Sequence, residues 1–413
     1  MNDVGDPGLI QGSVRDGFHR VAEIFEHQIA TTDGGASLAV FHHGELVVDL
    51  WGGKRDDQGT PWTRETLAMC FSTTKGVMST AAHVLADRGL IDYDEPVATY
   101  WPEFAQNGKA GITVRHVLSH SAGLHRFGTI VDGTHRMLDW EHMTDALARA
   151  EPAYPPGTTV GYHALTYGWL VGEIVRRVSG QPVNQFVQEH IAGPLGLTGL
   201  FIGCPPEERH RVAPLRPMAI HPALRLIGQL ALSPRASVAF KAMRVPFNPR
   251  RIRATLMPRG IEDVILAPEL LDVEVPAMNG HFDAVSLAGM YAMLAEGGEL
   301  GGVRILQPET VARLSEIQNE QRDRVVAFTM QWRLGYHRIP RLDSLLPLVY
   351  GHLGFGGSGA WADPQNNLSL AMVCNRGGGT PFGDRRIIAL STAVAEAVRR
   401  PARAPALNAA QRP

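Results

Sequence analysis

The sequence predicts an α/β fold in which one sheet is assembled from the two ends of the chain and a mainly helical segment is inserted between them. Three observations carry this reading. Two β-prone runs near the start, Ser37–Phe41 and Glu45–Trp51, meet at His43-Gly44 as a hairpin whose glycine supplies a positive φ. Helical periods dominate from Ser72 to about Ile191. Strand character returns only late, at Phe328–Tyr336, Gly359–Asp363 and Leu368–Asn375. The division implied is residues 1–70 with 295–413 as the α/β part and 71–294 as the helical part.

Taken in order, Val14, Phe18, Val21, Ile24 and Phe25 recur at helical spacing, which predicts an amphipathic helix of about four turns ending near Thr31. From Ser72, the residues Val77, Met78, Ala81, Val84 and Leu85 line one helical face, and Gly89 stops that helix after Arg88. Further helices are predicted at Val114–Leu118, Met143–Ala150, Leu165–Val178 with Gly180 as the stop, and Val183–Ile191 behind Pro182. Ile387–Val398 reads as a closing helix, and Pro401–Pro413 as a frayed tail.

The 413 residues suffice to bury a core without staples, and 44% hydrophobic with 19% charged residues excludes wholesale disorder and fibrous repeats. A net charge of −2 offers no basic field for nucleic acid. Cys70, Cys204 and Cys374 lie far apart without a C-x-x-C, so reduced thiols are expected rather than a zinc knuckle or disulfide framework. Met1–Ser13 lacks the basic and apolar regions of a secretory signal, and no run of 18 apolar residues occurs, so a cytoplasmic protein without membrane insertion is expected. One segment, about residues 205–275, is basic and apolar: between Arg209 and Ile261 there is no Asp or Glu. It reads as a surface excursion pairing with acidic groups elsewhere, as a lid over an acyl pocket, or as a peripheral membrane contact.

Three short stretches can carry chemistry. Ser72-Thr73-Thr74-Lys75 places a hydroxyl and an amine nearly one helical turn apart, on one face and within hydrogen-bond reach. There the lysine can lower the hydroxyl's pKa or relay its proton, and first-turn N–H groups favour a developing oxyanion. With only four lysines in the chain, a chance S-x-x-K is rare. The turn Tyr154-Pro155-Pro156-Gly157 leads to Gly161-Tyr162-His163-Ala164 and a helix, and can bring the Tyr162 phenol beside Lys75, whose charge would stabilise a phenolate base. Gly351-His352-Leu353-Gly354-Phe355-Gly356-Gly357 is a glycine-rich strand of the kind that lets a ligand or backbone come close. A backbone N–H there can share an oxyanion with that of Ser72.

In their order and spacing, the S-x-x-K at Ser72, the Tyr162 turn and the H-x-G at His352 resemble the serine β-lactamase/penicillin-binding-protein-like superfamily. The phrases Ile112–Leu124, Pro194–Leu197 and Asn279–Gly298 are similar to its class C-like branch, and within that branch the chain looks most like the family VIII carboxylesterases over residues 15–400. The resemblance implies an antiparallel sheet flanked by helices, a mainly helical second part, and an active site between the two. It also implies catalysis by Ser72, Lys75 and Tyr162, with oxyanion or substrate binding at Phe355, His352 and Gly354. Two departures bear on substrate. Ala164 stands where lactamases of the branch carry an amide, and His352 where they carry a lysine, so the grip on a β-lactam side chain and its carboxylate is missing.

The function expected is hydrolysis of short-to-medium uncharged esters through an acyl-enzyme on Ser72, with a small-molecule ester as substrate, no cofactor and no metal. Acyltransfer, D-amino-acid peptidase action or weak β-lactam hydrolysis on the same fold is the alternative, and a non-catalytic ligand-binding homologue is a further one. His116 and His120 sit four apart, but residue 117 is valine rather than the glutamate of a zinc-protease helix, so they read as structural. No G-x-S-x-G elbow or P-loop occurs. Monomer and homo-oligomer both remain open.

Overall fold

The computed structural model of the chain describes residues 2–3, 8–216, 254–340, 342, 344–377 and 384–399. Seven strands form its main sheet: β1 (Asn2–Asp3), β2 (Ile10–Val14), β3 (Gly35–His42), β4 (Glu45–Gly53), β5 (Tyr350–Leu353), β6 (Gly359–Asp363) and β7 (Leu368–Cys374). Their spatial order is β1-β2-β4-β3-β7-β6-β5, and every pairing is antiparallel. The two chain ends meet where β3 pairs with β7, Val40 opposite Leu370 and Leu38 opposite Met372. The β3–β4 turn uses positive φ at both His43 (51°) and Gly44 (70°), the conformation whose twist matches a two-residue hairpin.

Period-two alternation assigns the faces. Leu38, Val40, Leu370, Met372 and Trp361 point toward helix α1 (His19–Ala30) and the C-terminal helix Arg385–Arg399, where Val21, Phe25, Leu390 and Val394 close one core. Ala39, Ala360, Ala362 and Ala371 point the other way, and these small side chains let the helix Ala284–Ala295 lie across β3, β6 and β7. Eleven of that helix's twelve residues are buried, as an apolar surface on all sides requires. It packs on the sheet although it precedes residue 295, the boundary expected from the sequence.

The helix α2 (Thr74–Asp87) is also enclosed, with Thr74–Leu85 all buried. It runs between the sheet's β5 edge and the helix Thr166–Ser179. A small sheet of Ala68–Met69, Gly280–Phe282 and Leu200–Ile202 braces the chain just before α2.

Two sequence expectations are corrected. Val14 belongs to strand β2 rather than to the first helix, which begins at His19. Phe328–Tyr336 is not a strand: Trp332, Leu334 and Tyr336 are buried, but the backbone bonds elsewhere, Gly335 N–H to Leu118 O at 3.0 Å and Gln318 N–H to Trp332 O at 2.8 Å. Apolar alternation there reports burial and not a ladder. The expected flap falls mostly on residues 217–253, which lie outside the described residues. Of its described arginines, Arg209 pairs with Asp272, Arg211 with Asp283 at 3.3 Å, and Arg216 with Asp57 at 2.7 Å.

Candidate active site

Ser72 sits on a short 3₁₀ turn, Phe71–Thr73, that feeds α2, rather than inside the α-helix itself. The preceding residue, Phe71, takes φ 45°, a left-handed conformation that a bulky side chain adopts only when its surroundings impose it. Those surroundings are hydrogen bonds on both sides: Cys70 N–H to Gly280 O at 2.8 Å, and Gly280 N–H to Thr74 Oγ1 at 2.9 Å.

One turn along, Lys75 Nζ lies 2.9 Å from Ser72 Oγ and 2.8 Å from Ala277 O. Tyr162 OH reaches the same serine oxygen at 2.8 Å. Gly161 N–H, bonded to His120 O at 3.0 Å, anchors the turn that carries this tyrosine. Lys75 and Tyr162 are both fully buried. Burial without an anionic neighbour holds the Lys75 ammonium well below the usual lysine range. Burial likewise pushes the Tyr162 phenol up, against the opposing hydrogen bond of Ser72. Burial therefore disfavours charge on both groups, which runs against the lysine-stabilised phenolate expected from the sequence. Lys75 Nζ and Tyr162 OH both donate to Ser72 Oγ.

Phe355 lies at the rim, its ring edge-to-face on Phe71 with centroids 5.6 Å apart. Gly354 works differently from expectation. Its N–H is taken by Ser358 O at 2.8 Å, and a Cβ there would stand 2.4 Å from Cys70 O, so the glycine lets the end of β5 abut the Ser72 turn. His352 is fully buried and lies outside the cavity lining, its ring 6.3 Å from that of Tyr162 and 4.7 Å from that of His337. Burial, first of all, holds its imidazolium well below the usual histidine range. Its ring packs against those of Tyr162 and His337.

The cavity at Ser72 has a volume of about 70 Å³. Its walls are Leu165, Leu256, Met257, Ile261, Ile265, Met278 and Phe355, together with Ala164, and among the described residues no charged side chain lines it. Sequence reading placed Ala164 and Phe355 here but missed Leu165, Met278 and the Lys75 acceptor Ala277 O, for which no local signal exists. A larger open groove of about 610 Å³, lined by Arg126, Asp132, His142 and Glu151, includes none of the Ser72 set. His116 and His120 have separate partners, Thr113 N–H for the first and His163 N–H for the second. Among the described residues no group of three or more His, Cys, Asp or Glu is arranged to hold a metal. Cys70, Cys204 and Cys374 are buried and unpaired.

Residues 21–394 match the family described as Beta-lactamase. The chain belongs to that family. Within it, the chain is 40% identical over 347 residues to the Esterase/beta-lactamase LipL of Mycobacterium tuberculosis (strain ATCC 25618 / H37Rv), covering 83% of this chain and 77% of LipL. Its fold is similar to the crystal structure of a family VIII carboxylesterase, with TM-score 0.79 and 34% identity over 94% of this chain and 99% of the other. A penicillin-binding protein homologue from Caulobacter crescentus is similar to the same degree, with TM-score 0.79 and 36% identity over 94% and 99% of the two chains. The beta-lactamase family fold thus accounts for the antiparallel sheet, the buried α2 and the serine at its start.

Proposed function

We propose that this serine hydrolase of the beta-lactamase family cleaves short-to-medium uncharged carboxylic esters through an acyl-enzyme on Ser72. The observation that carries the reading is the convergence of Lys75 Nζ and Tyr162 OH on Ser72 Oγ, at 2.9 and 2.8 Å, beside a small cavity that no charged side chain among the described residues lines. The similarity to proteins described as an esterase/beta-lactamase and a family VIII carboxylesterase supports it.

Ser72 Oγ attacks the ester carbonyl carbon as its proton passes to the neutral Lys75 amine. The carbonyl oxygen becomes an oxyanion, which the backbone N–H groups of Ser72 and Phe355 receive in this reading. Collapse breaks the bond to the alcohol, which leaves with a proton delivered from Lys75 through Tyr162. Water then adds to the acyl carbon, gives a proton to the same pair, and the acid departs as Ser72 is reprotonated. Neither step needs a group that recognises charge on the substrate. Ala164 offers no amide and the buried, neutral His352 no cation, so a β-lactam carboxylate finds no anchor at these positions.

Labelling of Ser72 by a fluorophosphonate, together with a panel of p-nitrophenyl esters run beside nitrocefin, tests the proposal. Labelling with turnover of short esters is expected; a folded protein that takes no label and turns over no ester overturns it. The cytoplasmic location belongs to the same proposal and is checked by fractionation. No helix among the described residues is long and apolar enough to cross a membrane.

A further inference from the structure

The loop from Asp323 to Trp332 is expensive to build. Asp323 is buried, 1% exposed, and no basic side chain pairs with it among the described residues. Its oxygens accept from N–H donors, Val325 and Val326 at 2.7 and 3.1 Å on one oxygen, the indole Nε1–H of Trp332 at 3.0 Å on the other, and the backbone N–H of Tyr162, while burial pushes its carboxyl up. Ala327 and Gln331 take φ of 66° and 49°, both non-glycine residues in the left-handed region. Burying a carboxylate without a cation and straining two residues both cost stability, so the loop must hold something in place.

What it holds is the Tyr162 ring. The fully buried Trp332 stacks on it, with centroids 5.3 Å apart and planes at 16°. Val160, Val325, Val326 and Met330 surround the pair in a small core of their own, and Arg324 N–H bonds to Val160 O at 2.9 Å, two residues before the tyrosine. A phenol must be held to a fraction of an ångström to stay in line with a nucleophile. The stack fixes the ring plane, and the Asp323 carboxylate fixes the indole.

We propose that Asp323 and Trp332 are positioning residues for the Tyr162 phenol, the carboxylate locking the indole and the indole holding the phenol at Ser72 Oγ. The inference rests on the reading of Tyr162 as a proton-transfer group. Electrostatics act in the same direction: the Asp323 charge opposes formation of a phenolate. The other titratable groups facing Tyr162 are Lys75 from α2, His120, Tyr167 and His352, and burial disfavours the charged form of each.

The test is p-nitrophenyl acetate hydrolysis by the full chain. Trp332→Leu is expected to lower kcat about 10- to 100-fold with KM nearly unchanged, as misplacement of a reacting group does, while Trp332→Phe, which keeps a stacking face, recovers most of it. In a Tyr162→Phe background Trp332→Leu should cost nothing further. Asp323→Asn should move the alkaline limb of the kcat profile to lower pH. A folded Trp332→Leu with wild-type kcat, or one whose loss is undiminished in the Tyr162→Phe background, overturns the proposal. Should Trp332→Leu not fold, unchanged kcat and alkaline limb in Asp323→Asn overturn it instead. A Tyr162→Phe variant with wild-type kcat overturns the reading of Tyr162 itself, and this inference with it; the other outcomes leave that reading standing.

Discussion

Lys75 Nζ stands 2.9 Å from Ser72 Oγ, and its other hydrogen bond among the described residues goes to a backbone carbonyl, Ala277 O, at 2.8 Å. Among the described residues no carboxylate pairs with it, so burial holds its ammonium well below the usual lysine range, at a cost in stability. Lys75 binds its proton more weakly in the folded chain than in the unfolded one. Between the depressed folded value and the ordinary lysine value, the unfolded state holds more protons, so stability rises with pH across that window.

Lys75→Met should therefore abolish turnover and stabilise the protein. The thermal midpoint at neutral pH is expected to rise by about 1 °C for each kcal/mol gained in a chain this large, and the rise should shrink as pH approaches the ordinary lysine value. Calorimetry across pH checks both; a lowered midpoint at neutral pH would mean that the amine is charged and paired.

The same shifts set the pH dependence of the reaction. Activity should fall on the acid side, as Lys75 becomes protonated below the usual lysine range, and should show no alkaline loss until above the ordinary tyrosine value of ~10, because Tyr162 is raised. A kcat profile with an alkaline limb well below that point contradicts a resting phenol.

Ser72→Ala should leave the fold intact, since a small polar residue at a helix start contributes ~1 kcal/mol at most, and should cost several orders of magnitude in turnover. Lys75→Ala and Tyr162→Phe should each depress kcat far more than they raise KM. Because both act on one oxygen, the double variant should be little worse than the worse single. Fully additive losses would show that they do not work as a unit.

Chain-length preference should follow the walls of the cavity. Ile261→Ala and Met257→Ala are expected to shift the preferred p-nitrophenyl ester to longer acyl chains while phosphonate labelling of Ser72 proceeds as before. Nitrocefin should be turned over slowly or not at all. A kcat/KM for nitrocefin rivalling that of the best ester would mean that a cation elsewhere anchors the carboxylate.

Gly354→Ala tests the contact between β5 and the nucleophile's turn. The added methyl meets backbone, Cys70 O at 2.4 Å, which cannot swing aside as a side chain can. Overpacking of this kind costs about 1–3 kcal/mol, and displacement of Phe355 should lower kcat as well. Wild-type stability and turnover in this variant would show that the two segments are not in close contact.

The sequence by itself determined what depends on near neighbours. Ser72 and Lys75 meet because three residues are almost one helical turn. The β3–β4 hairpin closes at His43-Gly44 because that pair tolerates positive φ. Tyr162, ninety residues from Ser72, was legible through its Pro/Gly-rich turn and the resemblance together, since the turn alone fixes no partner so far along the chain. Tertiary structure alone decided the rest. Trp332 looked like part of a strand because burial and β-pairing leave the same apolar alternation, yet its backbone bonds to other segments. The burial of His352 beside Tyr162 and His337 is likewise a product of long-range packing. The protonation state of the reactive pair was also invisible in sequence, because it depends on how completely the surrounding chain excludes water from Lys75 and Tyr162.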